Sequence, residues 1–322
     1  MRSPRTLLPD ARRAACAAAA LLAAGAAGAA PLAFVPNERS ATVTIIDTAS
    51  DRAVGEIDVG VKPRGIAASR DGKLLFVADQ RRASLHVVDV AARTLVAEVD
   101  LGDSPEGVGL SPDGRWLAAA VEDTNSVALV DTARRELAAT IRVNGRNPEH
   151  AVFSPDGKWI YVSAEEGSSV DVIDVAARAV AASIPVERRP RGIAFTPDGR
   201  RAYVACEVDA SVVAIDVASR RAVASIKTGK AASGIVMQPD GKRVIVSDGK
   251  SGALLAIDTA TNTIAATVAV GARPWNMAVT PDGKKLYVAN GRSGSVSVVE
   301  LSTFQKLADV PVGELPWGVA IR

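Results

Sequence analysis

Arg191-Gly-Ile-Ala-Phe-Thr-Pro-Asp-Gly199, Tyr203-Val-Ala-Cys206, Ser211-Val-Val-Ala-Ile-Asp216 and Arg221-Ala-Val-Ala-Ser-Ile-Lys227 together make one unit of a repeat. Its Pro-Asp-Gly, or the remnant Asp-Gly, recurs with the aspartate at Asp71, Asp113, Asp156, Asp198, Asp240 and Asp282, in steps of 42 or 43 residues. A second ladder ends an Ile-Asp or Val-Asp pair at Asp47, Asp89, Asp131, Asp174, Asp216 and Asp258, with Glu300 in the next slot. Within the unit, four short runs rich in Val, Ile and Ala are separated by turn residues, which predicts four strands. Pro presets φ and Gly accepts positive φ, so Pro-Asp-Gly suits a tight turn, and the second Asp closes an Asx-turn. Both ladders are therefore read as structural. A period near 42 with this pattern predicts a β-propeller in which each unit is one blade.

The two ends set the number of blades. Glu314-Leu-Pro-Trp-Gly-Val-Ala-Ile-Arg322 supplies one inner strand only, while Leu32–Asn37, Thr42–Ile46 and Ala53–Val59 read as a second, third and outer strand. Six complete repeats and this composite predict an all-β, seven-bladed propeller over residues 31–322, closed by pairing the ends and so without free sheet edges at the seam.

Residues 1–30 read as a secretory signal. Arg2, Arg5, Arg12 and Arg13 precede the apolar run Ala14–Ala27, and Ala27-Gly28-Ala29 fits a small-residue cleavage site. The run is short for a bilayer span, so export to the periplasm with no retained membrane segment is expected. Residues 1–29 carry four Arg and one Asp, so their removal takes the formal charge from +2 to about −1. A nucleic-acid partner, which needs clustered basic residues, is not expected. Cys206 is the single cysteine outside the leader, which excludes an intramolecular disulfide and a Cys-x-x-Cys-His haem attachment site. A monomer without a resident metal or cofactor is expected.

Strand order places the Pro-Asp-Gly and Ile-Asp turns on one face. The outer-to-inner connections and the loops between second and third strands lie on the other. The first face is uniform across repeats and the second varies, which marks the second as available for function. At the start of the inner strands, blades one to seven carry Arg64, Glu106, Glu149, Arg191, Ser233, Trp275 and Trp317. The next residue is Gly in five blades, because strands crowd at the axis, but His150 in blade three and Asn276 in blade six. The second-to-third loops add a ring of Gln80, Glu122, Glu165, Glu207, Gly249, Gly291 and Glu38, followed by Arg81, Asp123, Glu166, Val208, Lys250, Arg292 and Arg39.

These rings predict a polarised mouth. An acidic wall of Glu106, Glu122, Asp123, Glu149, Glu165 and Glu166, with His150 among them, would face Trp275 and Trp317 flanked by Arg39, Arg81 and Arg292. A ligand site is read from Arg64, Glu106, Glu149, His150, Arg191, Trp275, Asn276 and Trp317, since aromatic lining with a few polar groups suits small molecules. Arg39, Arg81, Glu122, Asp123, Glu165, Glu166 and Arg292 are read as a rim for a partner. The plainer alternatives are charges that pair around the channel and tryptophans that plug it. Trp116, Trp159, His86 and Cys206 are read as packing residues. Two histidines exclude a three-histidine metal centre, and oxygen ligation of Ca²⁺ by Glu106, Glu122, Glu149 and Glu165 has no spacing motif behind it. An enzymatic alternative, a lyase or hydrolase, would use His150 with Glu106 or Glu149, but no nucleophile is identifiable beside it.

The units resemble the YVTN β-propeller repeat, most closely in Arg273-Pro-Trp-Asn-Met-Ala-Val-Thr-Pro-Asp-Gly-Lys-Lys-Leu-Tyr-Val-Ala-Asn290. Phe34-Val-Pro-Asn-Glu-Arg39, Pro105-Glu-Gly-Val-Gly-Leu-Ser-Pro-Asp-Gly114, Glu122-Asp-Thr-Asn-Ser-Val127, Arg273-Pro-Trp-Asn276 and Pro316-Trp-Gly-Val319 are similar to periplasmic propellers associated with pyrroloquinoline-quinone-dependent alcohol catabolism. The chain departs from the pattern at Ala232, which replaces the inner-strand Pro, and nowhere keeps an intact Tyr-Val-Thr-Asn. The resemblance implies a non-catalytic binding protein serving a periplasmic quinoprotein or cytochrome. It does not imply a quinoprotein dehydrogenase, which would have eight blades and paired cysteines near the cofactor.

Overall fold

The structure, a computed structural model, describes residues 30–322. The predicted signal segment lies outside the described residues except for Ala30. Pro31–Arg322 form seven four-stranded antiparallel sheets. Blade four runs Pro190–Phe195, Arg201–Cys206, Ser211–Asp216 and Arg221–Lys227, and six of the seven blades follow this consecutive order. In blade seven Ala320–Ile321 pairs with Leu32–Asn37, followed by Thr42–Asp47 and Arg52–Asp58. The inner strand expected over Glu314–Arg322 is thus regular only at its end. The preceding stretch is held by Trp317 N–H to Pro36 O (3.0 Å) and Glu38 N–H to Leu315 O (3.0 Å).

Seven apolar cores lie between adjacent blades, one per interface. Between blades one and two, for example, Phe76, Leu85, Val87 and Leu101 meet Leu117, Ala119, Val121 and Val130. Second and third strands, covered on both faces, are buried along most of their length and mainly apolar, whereas outer strands are mostly exposed.

Both aspartate ladders do what their turns demand. Asp198 Oδ1 accepts the Thr196 hydroxyl (2.6 Å) and the Arg200 N–H (3.0 Å), and Gly199 has φ +68°. Asp216 Oδ1 accepts the Ser219 N–H at 2.8 Å, closing the predicted turn. Trp116 and Trp159 staple neighbouring blades on this face. The guanidinium of Arg178, in blade three, lies 5.8 Å from the Trp116 ring, and that of Arg220, in blade four, 4.4 Å from the Trp159 ring. Tyr203 reaches Asn262 (3.2 Å) in the same next-blade position.

Every inner strand except that of blade seven breaks register with its neighbour just after its first residue, as between Pro190 and Ile193. A break of this kind frees residues from the ladder and re-aims their side chains. The freed residues are those of the variable rings.

Candidate functional site

The face opposite the aspartate turns rests on one main-chain frame. In each blade the carbonyl two residues before the first ring accepts an N–H from the second-to-third loop: Gln80 to Lys62 (3.0 Å), Glu122 to Ser104 (3.0 Å), Glu165 to Asn147 (2.9 Å), Glu207 to Arg189 (2.9 Å), Gly249 to Ala231 (2.8 Å), Gly291 to Arg273 (2.9 Å) and Glu38 to Leu315 (3.0 Å). Ser104, Asn147, Arg189, Arg273 and Leu315 hold left-handed backbone with φ between 52° and 61°, each directly before a proline. Left-handed backbone costs a residue with a Cβ, and a following proline restricts it further. This ring was missed in the sequence, although the residue before each inner-strand proline marks it.

The charges interleave more than the sequence predicts. Arg64 Nη1 contacts Glu106 Oε1 at 2.5 Å and Arg64 Nε contacts Glu38 Oε2 at 3.0 Å. Arg191 joins Glu149 (2.8 Å), Glu165 and Glu207 (3.3 Å), and Arg273 reaches the other oxygen of Glu207 at 2.7 Å. The acidic wall of blades two and three is present but clasped at its two ends by arginines from blades one and four. Gln80 also donates to Glu106, and Ser104 and Asn147 donate to Glu122 (3.1 and 3.2 Å). Glu38, Gln80, Glu207 and Arg273 thus belong to the inner cluster, which the sequence reading did not assign to them.

Burial and crowding set the charge states. Glu106 is fully buried, and burial first, then the Glu149 charge, push its pKa up to about 8. Burial and Glu149 push Glu165 up to about 7. Burial opposes ionisation of Glu149, yet Arg191 holds its carboxyl below the usual range. Burial lowers the pKa of His150, against the pull of Glu149.

A group whose folded pKa is raised stabilises fully below its unfolded pKa, and that contribution is lost as pH rises through the folded value. Glu106 and Glu165 therefore favour the fold at acid pH and lose that contribution between about pH 4.5 and about pH 8. His150 acts in the opposite sense below pH 6.5, because the folded state resists its proton. The expected result is a stability that falls from about pH 4.5 to about pH 8 and levels off above it, partly offset by His150 below pH 6.5, with a slope of up to about 1.4 kcal/mol per pH unit per carboxyl. Chemical denaturation across pH checks it, and Glu106→Gln with Glu165→Gln should flatten that decline.

The axis is closed. The His150 imidazole stacks on the Trp317 indole from the far side of the ring, with centroids 5.5 Å apart and planes at 17°. Trp317 is 5% exposed, and Asn276 Nδ2 donates to its carbonyl at 3.4 Å. His150 and Asn276, expected where the channel opens, instead help to close it, and Trp317 takes the plugging role. Gly at the axis has a steric cause: a Cβ on Gly234 would come within 2.2 Å of the Trp275 carbonyl. Trp275 lies over Gly291, where a Cβ would come within 3.1 Å of the indole. The remaining recess, lined by Glu149, His150, Arg191, Ser233, Trp275, Asn276 and Trp317, has a volume of about 10 Å³.

Outside this cluster, Arg39, Arg81, Asp123, Glu166 and Arg292 are exposed. Arg39 faces Glu314 at 3.6 Å and Glu166 faces Arg146 at 3.2 Å, while Arg81, Asp123 and Arg292 make no ion pair among the described residues. The rim is therefore basic over blades six, seven and one and acidic over blades two and three. Among the described residues, no group of three or more His, Cys, Asp or Glu side chains is placed to hold a metal ion.

With this geometry in hand, the fold class is that of the seven-bladed β-propellers. The family model described as "Lactonase, 7-bladed beta-propeller" matches residues 179–310, from the outer strand of blade three to that of blade six. No curated protein matches the chain. Among solved structures, the chain is similar to a hydrazine synthase chain of Kuenenia stuttgartiensis, with 26% identity, 80% of this chain and 89% of that chain covered, and a TM-score of 0.73. It is also similar in fold to a functionally unknown protein from Desulfotomaculum acetoxidans (17% identity, 90% and 98% covered, TM-score 0.79). The dihydro-heme d1 dehydrogenase NirN in complex with DHE shares the fold as well (18% identity, 89% and 74% covered, TM-score 0.67).

Proposed function

We propose that this chain is an exported, periplasmic propeller that binds a protein partner through its variable face and carries out no reaction of its own. The partner class is a quinoprotein or cytochrome of an alcohol oxidation system, in keeping with the strings Phe34–Arg39, Pro105–Gly114 and Arg273–Asn276, which are similar to propellers associated with pyrroloquinoline-quinone-dependent alcohol catabolism. The observation that carries the docking reading is the divided rim around a plugged axis. The largely buried arginines are each paired with carboxylates of the cluster, whereas Arg81, Arg292 and Asp123 are left exposed without an ion pair among the described residues. A rim split into basic and acidic arcs steers and orients a partner of complementary polarity. A recess of about 10 Å³ cannot enclose a drug-sized ligand, which needs several hundred cubic ångströms.

The test is binding of the mature protein to a c-type cytochrome and to a quinoprotein dehydrogenase, from about 20 to about 200 mM salt. Arg81→Glu with Arg292→Glu is expected to weaken binding about tenfold at low salt and to flatten the salt dependence. Unchanged affinity and salt slope would reject the docking face.

A second reading, hydrolysis, has the lactonase family match in its favour. It also gains a hydroxyl that the sequence reading did not pair with His150, because Ser233 lines the same recess. The three groups are nonetheless not assembled as a triad. Among the described residues neither Ser233 Oγ nor His150 Nδ1 has a hydrogen-bond partner, and Glu149 is engaged by Arg191.

A further inference from the structure

Three polar atoms lining the axial recess are closed off from solvent and make no hydrogen bond to any described residue: Trp275 Nε1, His150 Nδ1 and Ser233 Oγ. Ser233 is only 2% exposed. Buried polar groups are paired as a rule, and three unsatisfied atoms on one small recess point to a missing counterpart. All three come from inner-strand starts, on blades six, three and five.

We propose that the recess is a socket for a single hydroxyl, the head of a small primary alcohol. The indole nitrogen can only donate, the unprotonated Nδ1 of imidazole can only accept, and a serine hydroxyl does either. The complement is one atom that both accepts and donates, which a hydroxyl provides. A carboxylate would sit beside Glu149 and present nothing to Nδ1. An ammonium would face the Trp275 N–H without accepting from it. The volume admits one heavy atom, since about 10–15 Å³ accommodates one water-sized group. The alcohol's carbon then points toward the mouth, against the Trp275 and Trp317 indoles that share the lining. Burial favours the neutral imidazole that this pairing needs. The socket uses neither Arg81 nor Arg292, so it stands or falls separately from the docking face.

Water has the same hydrogen-bonding character, so the experiment must show that an alcohol displaces it. The four tryptophan indole N–H signals of the ¹⁵N-labelled mature protein are followed by NMR during addition of methanol, with Trp275→Phe assigning its signal. The Trp275 signal is expected to move along a saturating curve, half-complete no tighter than about a few millimolar. Trp116 and Trp159, on the opposite face, should only drift linearly. Acetonitrile, which accepts but cannot donate to His150, should give no saturation at Trp275. Ser233→Ala should weaken methanol binding about fivefold. Saturation with methanol alone supports the socket. Linear drift with both solvents, or saturation with both, overturns it, and this comparison on the unaltered protein stands even if Ser233→Ala fails to fold.

Discussion

Arg191→Met is expected to destabilise the protein by about 3–5 kcal/mol at pH 7, the usual cost of removing one partner from a buried ion cluster. Arg191 is the cation shared by Glu149, Glu165 and Glu207, and its side chain is 14% exposed. Without it, the three crowded carboxylates keep ion pairs only to Arg189 and Arg273 among the described residues, and neither contacts Glu149. They would respond by taking up protons, so the loss should shrink toward pH 5 and grow toward pH 8. Urea denaturation of both proteins at these pH values measures it. A loss that does not change with pH would mean that the methionine disrupts packing rather than charge balance. Glu165→Gln serves as the contrast, because it removes surplus negative charge and should cost little.

Ending the chain after Glu314 is expected to have a larger effect still, leaving no cooperatively folded monomer. The deleted residues include Trp317, Val319, Ala320 and Ile321, all at most 9% exposed, and the only inner strand that blade seven has. Their loss uncovers the Leu32–Asn37 edge and removes the backbone bonds from Leu32 to Arg322 (2.6 and 3.0 Å). Trp317→Ala separates the two contributions, since it keeps the seam and removes the plug. It should cost about 3–5 kcal/mol, as large aromatic truncations in a core do. Thermal melts by circular dichroism distinguish the cases. A truncated protein that melts cooperatively near the full-length midpoint would show that the seam is dispensable.

The blades were legible because each repeats its turn chemistry in sequence. Asp198 and Asp216 act within a few residues of themselves, so spacing alone reveals their roles. The ring positions were legible for the same reason, since strand order decides which loops share a face. Pairing within the rings was not. Arg64 reaches Glu106 and Arg191 reaches Glu149 in neighbouring blades, and nothing in either repeat says which way a long side chain will lean. The His150–Trp317 stack joins blade three to blade seven across the axis, a contact set by the diameter of the closed ring. Asp79 and Asp248 also went unremarked. They end second strands and accept backbone N–H groups of the connection that enters their own blade, as at Val61 (2.5 Å) and Lys230 (2.7 Å), a role hidden inside an apolar run.

The seven carbonyl-to-amide ties under the variable face involve main chain alone, whatever side chains they carry. Glutamate, glutamine and glycine all occupy the donor positions, and lysine, serine, asparagine, arginine, alanine and leucine the acceptor positions. A substitution at an exposed rim position such as Arg81 or Arg292 therefore leaves these ties in place, whereas largely buried positions of the same face, Arg191 and Trp317 among them, carry a cost in stability. Such a frame separates the chemistry of the rim from the geometry of the ring.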